Sequence, residues 1–517
     1  MKFELSERYK SKILKSLDLS KIIGNISRSD TVVLCHGVFD IVHPGHIRHL
    51  LYAKSKAKKL IVSLTADKHI NKGVYRPHIP EELRALNLAA LEFVDYVIID
   101  ENSTPLENLK ILQPNLYVKG FEYNIENRLN EKTLEEIEVM KTIGGEVIFS
   151  PGDFTASSSQ YILHSPPNLR VEKLILLMQR AGISFSDLIN TLNDISNITV
   201  HVVGDIIMDS YTRCTMIGGQ TKTPTMSVKF ESKTDILGGA GIVAAHLKSA
   251  GAKVKLTSII GDDELGNEAL RQIAKHKIEP DIIIDNDKPT TTKNAIIVGD
   301  YRLLKVDTLD NRPISIKQQD LIMESINKSK SQIYIFSDFR HGIFNKQSIN
   351  NLIKAIPDGA MRVADSQVAS RWGNILDFKG FDLITPNERE ARFSLGDQDS
   401  GIRTLASDIY HASKSKNLIM KLGDKGIISY LDSEAETLDS YFIMDSFADQ
   451  CIDPVGAGDA LLAYACLSLK VSNNLIIASI LGNLAAACEC ETDQNSPVTP
   501  SEILKKIENI ERNVNRN

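Results

Sequence analysis

The sequence predicts an α/β protein whose two main parts each contain a mostly parallel sheet. In both halves of the 517-residue chain, apolar runs that suit buried strands alternate with patterns of helical period. Each half also has a glycine turn between a strand run and a helix, HGVFDIVHPGH at residues 36–46 and DPVGAGDALLAY at residues 453–464. A chain of this length exceeds one ordinary domain, so two or three domains are expected.

Breaks in these patterns predict the domain boundaries. A helical lead-in is expected over residues 1–27, followed by a first domain over residues 28–165. The stretch HSPPN at residues 164–168 contains two prolines, which stop a helix and stiffen the chain. A helical linker is expected over residues 166–195, and a second domain over residues 196–517.

Composition and charge argue against several classes of function. A net charge of −6 gives no support for attraction to nucleic acid or to a membrane surface. The first residues, MKFELSERYKSK, lack the apolar core of a signal peptide, and no apolar run approaches the ~18 residues of a membrane-spanning helix. Cys488 and Cys490 form a Cys-x-Cys pair without a second pair or a histidine cluster, and we interpret them as core thiols. A cytoplasmic protein is expected.

The first glycine turn, here called the histidine corner (residues 36–46), is typical of a phosphate-binding site. Gly37 permits a close turn after the strand run, and Pro44 suits the first turn of a helix. The N–H groups at a helix start and the positive end of its dipole attract an anion. His43 and His46 lie at this point, where imidazoles can donate to phosphate oxygens and stabilise charge on a five-coordinate α-phosphate.

A single histidine would more often be a half-buried structural residue, but here several residue types occur together. The set resembles the signature of the cytidylyltransferase-like nucleotidyltransferases, and it comprises Gly37, Phe39, Asp40, His43, Gly45 and His46. Through about the first third of the chain the similarity is greatest to the adenylyltransferase half of the bacterial bifunctional ADP-heptose synthases. This resemblance implies a Rossmann-like domain in which these residues contact a nucleotide and His43 and His46 act in catalysis.

Further matches to that family follow along the chain. Lys72, in the segment KGVYRP, corresponds to a lysine that contacts the attacked phosphate, a role that suits a mobile point charge. The other implied nucleotide contacts are Arg76, Lys119, Ser157, Ser158 and Ser159. Glu122 stands where relatives often have aspartate, which leaves the ribose and base contacts open.

The second glycine turn suits a phosphoryl-transfer site. Its residues Gly456, Ala457 and Gly458, here called the glycine nest, can present several backbone N–H groups to a γ-phosphate. Asp459 follows directly and could accept the proton of a substrate hydroxyl. Taken alone, the motif could equally be a glycine turn with an aspartate at a helix start.

Other motifs of the second half make the set resemble the ribokinase-like (PfkB) sugar kinases from Ile198 to about Ile507. This resemblance implies an α/β domain with a small β lid, with Asp459 as catalytic base and MgATP as phosphoryl donor. Implied nucleotide contacts besides the nest are Asn387, Glu390, Lys421, Gly423 and Gly426, with Glu390 also organising Mg²⁺ through water. Implied substrate contacts are Asp209, Gly238, Gly239, Lys293 and Asp338.

Two residues depart from the kinase pattern. Ile242 stands where the relatives have an asparagine that contacts the sugar, and Gln367 stands where they have a lysine. An apolar group cannot form a hydrogen bond with a sugar hydroxyl. The changes affect positions that contact the sugar, whereas the glycine nest and Asp459 are retained, so we expect an altered sugar substrate more than an inactive enzyme. The two halves also occur in the reverse of the order in the familiar synthases.

The two resemblances together imply a bifunctional enzyme of nucleotide-sugar synthesis for surface polysaccharide. A sugar-phosphate kinase would supply a sugar 1-phosphate, and a nucleotidyltransferase would join it to a nucleotide; heptose 7-phosphate and ATP are the first expectation, with CTP as the other nucleotide. Expected partners are sugar phosphates, nucleotides and a second copy of the chain, with neither nucleic acid nor membrane. The alternative is that only the first domain is catalytic and the kinase-like domain binds or dimerises.

Overall fold

The protein is described here from a computed structural model that covers residues 9–24, 31–70, 76–120, 131–150, 170–219, 226–367, 374–430, 441–492 and 496–516. Contacts divide the chain into a first unit, Met1–Leu169 with Arg516–Asn517, and a second unit, Arg170–Asn515. Each unit has its own sheet and its own apolar core. In the part of the chain that is described, no helix has the length and apolar character needed to cross a membrane.

The first unit is built on a five-stranded parallel sheet. Its strands are β1 (Val32–Gly37), β2 (Lys59–Thr65), β3 (Tyr96–Asp100), β4 (Leu116–Lys119) and β5 (Glu146–Phe149). Its helices are α1 (Ser16–Gly24), α2 (Pro44–Lys56), α3 (Glu81–Ala89), α4 (Leu106–Leu112) and α5 (Glu131–Thr142). The strand order β3-β2-β1-β4-β5 reverses direction beside β1, and ligands of such sheets bind at the carboxyl ends of the strands at this switch point. The predicted Rossmann-like fold is confirmed.

Strand β1 is apolar on both faces because each face meets a different core. Val33 and Cys35 belong to one buried cluster, whereas Val32 and Leu34 belong to the other. This alternation follows from the period of two residues in a strand. Helix α1, in the predicted lead-in, places Leu19 in the second cluster.

The second unit is built on a nine-stranded sheet of order β10-β9-β6-β13-β14-β15-β16-β17-β18. Its strands are β6 (Thr199–Gly204), β9 (Lys253–Gly261), β10 (Glu279–Asp285), β13 (Ile333–Asp338), β14 (Met361–Ser366), β15 (Leu383–Ile384), β16 (Asn417–Lys421), β17 (Ile427–Tyr430) and β18 (Tyr441–Met444). The strands from β10 to β16 are parallel, and the last two pair antiparallel at one edge.

A separate four-stranded sheet, here called the lid, follows β6. Its strands are β7 (Ile206–Gly219), β8 (Met226–Gly239), β11 (Thr292–Val298) and β12 (Tyr301–Thr308), in the order β12-β11-β7-β8. The predicted ribokinase-like architecture with a small β lid is therefore confirmed.

Helices cover the large sheet of the second unit. They are α6 (Arg170–Ala181), α7 (Phe185–Asp194), α8 (Ala240–Ser249), α9 (Glu264–Lys275), α10 (Ile316–Lys328), α11 (Ser348–Ala355), α12 (Glu388–Leu395), α13 (Ile402–Ser413), α14 (Ala457–Ser472), α15 (Leu475–Cys490) and α16 (Pro500–Arg516). Helices α6 and α7 fall in the predicted linker, yet their residues Leu174, Met178, Leu188 and Leu192 are buried in the core of the second unit. Amphipathic helices bury their apolar face against the nearest core, which explains this placement.

Candidate active sites

The histidine corner joins the end of β1 to the start of α2. His43 is the N-cap residue of α2, and its Nδ1 accepts the backbone N–H of Gly45 at 3.1 Å. Because Nδ1 accepts, a neutral His43 carries its proton on Nε2. The rings of His43 and His46 stack with centroids 3.9 Å apart, and the ring of Phe39 meets that of His46 edge-on at 5.0 Å. The structure therefore brings the two predicted catalytic histidines together.

Both histidines are held in the neutral form at neutral pH. Burial lowers the pKa of His46 to about 4, and the neighbouring His43 and His49 lower it further. Burial also lowers the pKa of His43. Neutral imidazoles can donate hydrogen bonds to a phosphate, and the arrival of negative charge would favour their protonation. The corner is thus suited to stabilising charge that develops on a phosphate.

Backbone shape at this corner depends on Gly37 and Phe39. Phe39 adopts a left-handed conformation with φ of 47°, which is uncommon outside glycine. A Cβ at Gly37 would lie 3.1 Å from the Phe39 ring, so the glycine makes room for that ring. The ring in turn contacts His46, which links the left-handed turn to the position of the imidazole that is predicted to act in catalysis.

Asp40 acts on the backbone of a neighbouring loop. Its Oδ1 accepts the N–H groups of His78 at 2.8 Å and Ile79 at 3.0 Å. Asp40 thereby holds the segment that follows the predicted nucleotide contact Arg76. Charge-assisted bonds of this kind fix a loop relative to the corner.

Arg84 is a residue beside the histidine corner that the sequence analysis did not assign to the site. Its side chain is completely buried and donates from Nε to the Ile79 carbonyl at 2.9 Å and from Nη2 to the Thr65 carbonyl at 3.0 Å. It also donates to the Val38 carbonyl and pairs with Asp67 at 2.5 Å. Three separate backbone segments around the corner therefore share one guanidinium. In the sequence, the one indication of this role is that the arginine lies next to the apolar residues of the segment that forms helix α3.

We expect Arg84→Met to destabilise the first unit by about 3 kcal/mol, because three buried carbonyls lose their donor. Hydrogen exchange of the β1 and β2 amides, followed by mass spectrometry, should become about 10²-fold faster. Lys110→Met is the matched control, since Lys110 pairs with Glu107 on the surface and such pairs contribute little. Unchanged exchange in Arg84→Met would show that the guanidinium does not hold these segments together.

Of the other predicted residues of the first unit, Lys119 is described at the end of β4, and several lie outside the described part. The ammonium of Lys119 is buried, donates to Thr133 at 3.0 Å and forms an ion pair with Glu136. These two contacts attach the Lys119 ammonium to helix α5, which carries both partners. Five residues lie outside the described part of the chain. They are the predicted contacts Lys72, Ser157, Ser158 and Ser159, and Glu122, which stands where relatives often have aspartate.

The glycine nest opens helix α14 in the second unit. Gly456 is the N-cap residue and adopts a left-handed conformation with φ of 89°, which favours glycine. A Cβ at Gly458 would lie 3.3 Å from Nζ of Lys421, so the nest and this ammonium are close neighbours. Backbone N–H groups beside a lysine form a site for a phosphate.

Asp459 lies in the first turn of α14, and its carboxylate is buried. Its pKa is raised to about 7, mainly by burial and also by Asp365 and other nearby carboxylates, while Lys421 opposes this effect. A base with a pKa near the working pH combines a useful ionised fraction with a real affinity for the proton. The structure therefore gives the predicted base suitable electrostatics.

Asp365 is a second residue that sequence reasoning did not assign to the site. Lys421 Nζ, at the end of β16, lies 3.0 Å and 3.1 Å from the two carboxylate oxygens of Asp365 on β14. This ion pair fixes the lysine beside the nest. The signal in the sequence was an aspartate near the carboxyl end of a parallel strand, where sites of such folds form.

Asn387 and Glu390 form a reciprocal cap at the start of α12. The Glu390 carboxylate accepts from Asn387 N at 2.7 Å and Nδ2 at 2.6 Å, and Asn387 Oδ1 accepts from Glu390 N at 2.8 Å. Burial raises the pKa of Glu390 to about 7, while Lys421 opposes this effect. Carboxylate oxygens with remaining lone pairs fit the implied role of holding Mg²⁺ through water. Within the described residues, no three His, Cys, Asp or Glu side chains converge as a direct metal site.

Asp209 and Lys293 face each other on adjacent strands of the lid. They are register partners on β7 and β11, and the Lys293 ammonium lies 5.5 Å from the centre of the Phe339 ring. Burial raises the pKa of Asp209 to about 6, partly opposed by Lys293. Lys293 also interacts with the charge of Asp459, which places this pair of predicted substrate contacts near the predicted base.

The two glycines beside this pair leave room for its polar groups. A Cβ at Gly238 would lie 2.1 Å from Oδ2 of Asp209, and one at Gly239 would lie 2.4 Å from the Asp205 carbonyl. Either substitution would displace a carboxylate or the backbone. The predicted glycine pair is therefore required by close approach.

Asp338, a predicted substrate contact, is the last residue of β13. Its fully buried carboxylate accepts from Ser366 Oγ at 2.8 Å and lies 2.7 Å from Arg340 Nε. It holds the turn after β13. Ile242 is buried in the core on α8, so its side chain packs among apolar groups.

Gly423 and Gly426 flank the turn after β16. Gly423 has φ of 62°, and a Cβ at Gly426 would lie 2.0 Å from the Met444 carbonyl. These glycines allow the turn to pass close to β18. The turn begins two residues after Lys421, next to the ion pair described above.

Comparison with known proteins agrees with both units. The pfkB family carbohydrate kinase model matches residues 197–501, more than half of the chain, and the cytidylyltransferase-like model matches residues 34–190. The second match extends past the end of the first unit into α6 and α7, whose buried side chains belong to the second unit. We assign both helices to the second unit, because their buried side chains pack in its core.

Two curated relatives match more than half of the chain. The bifunctional protein HldE of Sulfurimonas denitrificans is 26% identical over 58% of this chain, and that of Campylobacter fetus subsp. fetus is 29% identical over 56%. The match spans only 62% of the length of each of these relatives.

Phosphofructokinase-2 from Escherichia coli, in its tetrameric inhibited form, shares the fold with a TM-score of 0.51 and 16% identity, over 61% of this chain and 100% of that one. Ribokinase from Thermotoga maritima shares it with a TM-score of 0.50 and 18% identity, over 60% of this chain and 99% of that one. The parallel sheet, the lid and the glycine nest agree with the family match over residues 197–501, and the chain belongs to the pfkB family of carbohydrate kinases.

Proposed function

We propose that the chain is a bifunctional transferase, with a sugar-phosphate kinase site in the second unit and a nucleotidyltransferase site in the first. The buried Asp459 beside the glycine nest and Lys421 carries the kinase half of this proposal. The stacked His43 and His46 at a helix start support the other half. The name of the HldE relatives, bifunctional protein, is consistent with two activities.

In the proposed kinase reaction, Asp459 accepts the proton of a sugar hydroxyl. The hydroxyl oxygen then bonds to the γ-phosphorus of ATP while the bond to the β-phosphate oxygen breaks, which releases ADP. Backbone N–H groups of the glycine nest and the Lys421 ammonium bind the transferred phosphoryl group. Mg²⁺, held by Glu390 through water, would neutralise phosphate charge when bound. Asp209 and Lys293 orient the sugar.

In the proposed transferase reaction, an oxygen of a sugar 1-phosphate attacks the α-phosphorus of a nucleoside triphosphate and releases pyrophosphate. Neutral His43 and His46 donate to the α-phosphate as its charge increases. Lys72, Arg76 and the serines at 157–159 complete the proposed nucleotide contacts. For the kinase, heptose 7-phosphate and ATP are the substrates we propose first. For the transferase, we propose ATP first, with CTP as the alternative nucleotide.

Other features of the proposal rest on the sequence resemblance. We place the transferase over residues 28–165 and the kinase over residues 196–517, in an order reversed relative to the familiar synthases, and we propose that the enzyme works in the cytoplasm. The products would serve surface polysaccharide. A transferase with an inactive kinase-like domain is the alternative, and the burial of Ile242 in the core weakens one argument for it.

Mass spectrometry of products from the full chain tests the proposal. The purified protein would be incubated with Mg²⁺, ATP or CTP, and a panel of sugar phosphates and sugar 1-phosphates. We expect ADP with a newly phosphorylated sugar in one set of reactions, and pyrophosphate with a nucleotide sugar in the other. Pyrophosphate release without ADP formation for every sugar phosphate would instead establish the alternative.

The kinase rate should depend on pH through the ionisation of Asp459. Because the carboxylate form is the base, kcat/KM should rise with pH through about 7 and then level off. Asp365→Asn removes a charge that raises the pKa of Asp459, so the rising limb should move to lower pH. Initial rates between pH 5.5 and 8.5 measure both effects, and a profile that is flat in this range would contradict the assignment.

We propose that the chain forms a homodimer through the lid. Large apolar side chains of the lid are exposed, with Ile217 at 68%, Phe230 at 61% and Tyr301 at 69%. Large apolar side chains exposed on one sheet favour its association with a second copy of the chain. Light scattering should give twice the chain mass of 57.3 kDa, and Phe230→Asp should shift the population toward single chains. A wild-type protein that is monomeric at micromolar concentration would contradict this proposal.

A further inference from the structure

Cys451 and Cys490 are neighbours in the second unit although they lie far apart in the sequence. The N–H groups of Ile452 and Asp453 approach the Cys490 carbonyl oxygen at 2.7 Å and 3.3 Å. The neighbouring Cys451 also raises the pKa of the Cys490 thiol. Neither thiol is in a disulfide. The expectation that Cys488 and Cys490 are both core thiols therefore holds for Cys488, which is buried, whereas Cys490 has a cysteine partner.

This pair differs from the other cysteines in its access to solvent. Cys451 is exposed and Cys490 is partly exposed, whereas Cys35, Cys214, Cys466 and Cys488 are buried. An exposed thiol can react with a small disulfide, and a second thiol beside it can complete the exchange.

We propose that Cys451 and Cys490 form a reversible intramolecular disulfide by exchange with a small-molecule disulfide such as oxidised glutathione. Cys451 loses its proton, and its sulfur bonds to one glutathione sulfur while the glutathione S–S bond breaks, which releases one glutathione thiol. The Cys490 sulfur, after losing its proton, then bonds to the Cys451 sulfur and releases the second glutathione. Two protein thiols thus give two electrons and two protons to one molecule of oxidised glutathione.

The second step should be the slower one at neutral pH. The pKa of Cys490 is raised to about 12, mainly by burial and in smaller part by the neighbouring Cys451, Glu489 and Glu491. The thiolate is the nucleophile in this step. While the pH stays below this pKa, each increase of one pH unit should therefore make closure of the disulfide roughly tenfold faster. A mixed disulfide on Cys451 should accumulate first and then disappear.

The position of the pair connects oxidation to the phosphoryl-transfer site. Cys451 is two residues before Asp453, whose carboxylate accepts the N–H of Val455 at 3.1 Å and pairs with Arg302 of the lid at 3.2 Å. Cys490 is the last residue of α15. A disulfide would therefore tie the segment that leads into the glycine nest to the end of this helix.

Peptide mapping of the full chain tests the proposal and does not require either enzymatic activity. The protein would be treated with oxidised glutathione at pH 8, blocked with an alkylating reagent and digested for mass spectrometry. We expect a peptide pair joined through Cys451 and Cys490, lighter by two hydrogens, that dithiothreitol separates. The joined pair should form more rapidly at pH 9 than at pH 7.

Single substitutions distinguish this outcome from its alternatives. Cys490→Ser should leave a stable glutathione adduct on Cys451, Cys451→Ser should prevent the disulfide, and Cys488→Ala should leave it intact. The proposal is overturned if wild-type protein retains only the glutathione adduct, or joins Cys451 to Cys488 or to a second chain.

Discussion

Replacement of Asp459 by asparagine is expected to lower kcat for sugar phosphorylation on the order of 10³-fold, because the side chain can no longer accept the hydroxyl proton. Asparagine has nearly the same shape and removes a buried charge, so the fold should persist. The ammonium of Lys421 keeps Asp365 as its partner, and the glycine nest is unchanged. ATP binding should therefore change far less than the rate of transfer.

Initial rates of ADP release with saturating MgATP and the best sugar phosphate measure this effect. Pyrophosphate release by the first unit of the same protein should stay within about twofold of wild type, which confirms that the preparation is intact. Asp320→Asn, at an exposed position on α10, is the matched control for removal of an aspartate charge. A kinase rate within tenfold of wild type in Asp459→Asn would remove Asp459 from the role of base.

Replacement of His46 by alanine should lower the nucleotidyltransferase rate on the order of 10²-fold or more, because it removes a donor aimed at developing phosphate charge. His46 stacks on His43 and meets Phe39, so the loss would also loosen the partner imidazole. Because burial and neighbouring imidazoles hold its pKa near 4, His46 acts from the neutral form, and its contribution should not vary between pH 6 and 8.

Pyrophosphate release from ATP and a sugar 1-phosphate measures the change, with kcat and KM determined separately. The loss should appear mainly in kcat, since the bond is strongest in the transition state. His411→Ala is the control, because His411 bonds only within its own helix through Ser407 and lies in the second unit. A change confined to KM would assign His46 to substrate binding alone.

Local motifs predicted the fold and the local geometry of the histidine corner and the glycine nest, because that geometry is contained in a few consecutive residues. A glycine turn followed by a helix start determines where His43, His46 and Asp459 lie relative to nearby N–H groups. The alternation of strands and helices likewise predicts parallel sheets. Neither inference requires knowledge of which strands are neighbours.

Residues that act across the fold could not be found in this way. Asp365 meets Lys421 only because β14 and β16 lie on either side of β15 in the same sheet. Arg84 reaches three backbone segments from one helix, a role that no spacing in the sequence indicates.

Burial also changed the interpretation of particular side chains. Ile242 stands where the relatives have an asparagine that contacts the sugar, and the structure packs it in the core of the second unit, where its apolar character fits its surroundings. Asp338 is a predicted substrate contact, and in the structure its carboxylate also accepts from Ser366 and pairs with Arg340 at the turn after β13. The surroundings of both side chains depend on tertiary packing, which the motifs do not contain.

The most direct test of two independent catalytic sites in one chain is to measure ADP release and pyrophosphate release side by side in wild type, Asp459→Asn and His46→Ala. The proposed sites predict that Asp459→Asn loses only ADP release from a sugar phosphate and that His46→Ala loses only pyrophosphate release from a sugar 1-phosphate. Loss of both activities in either folded variant, or no ADP release by wild type with any sugar phosphate, would contradict this account.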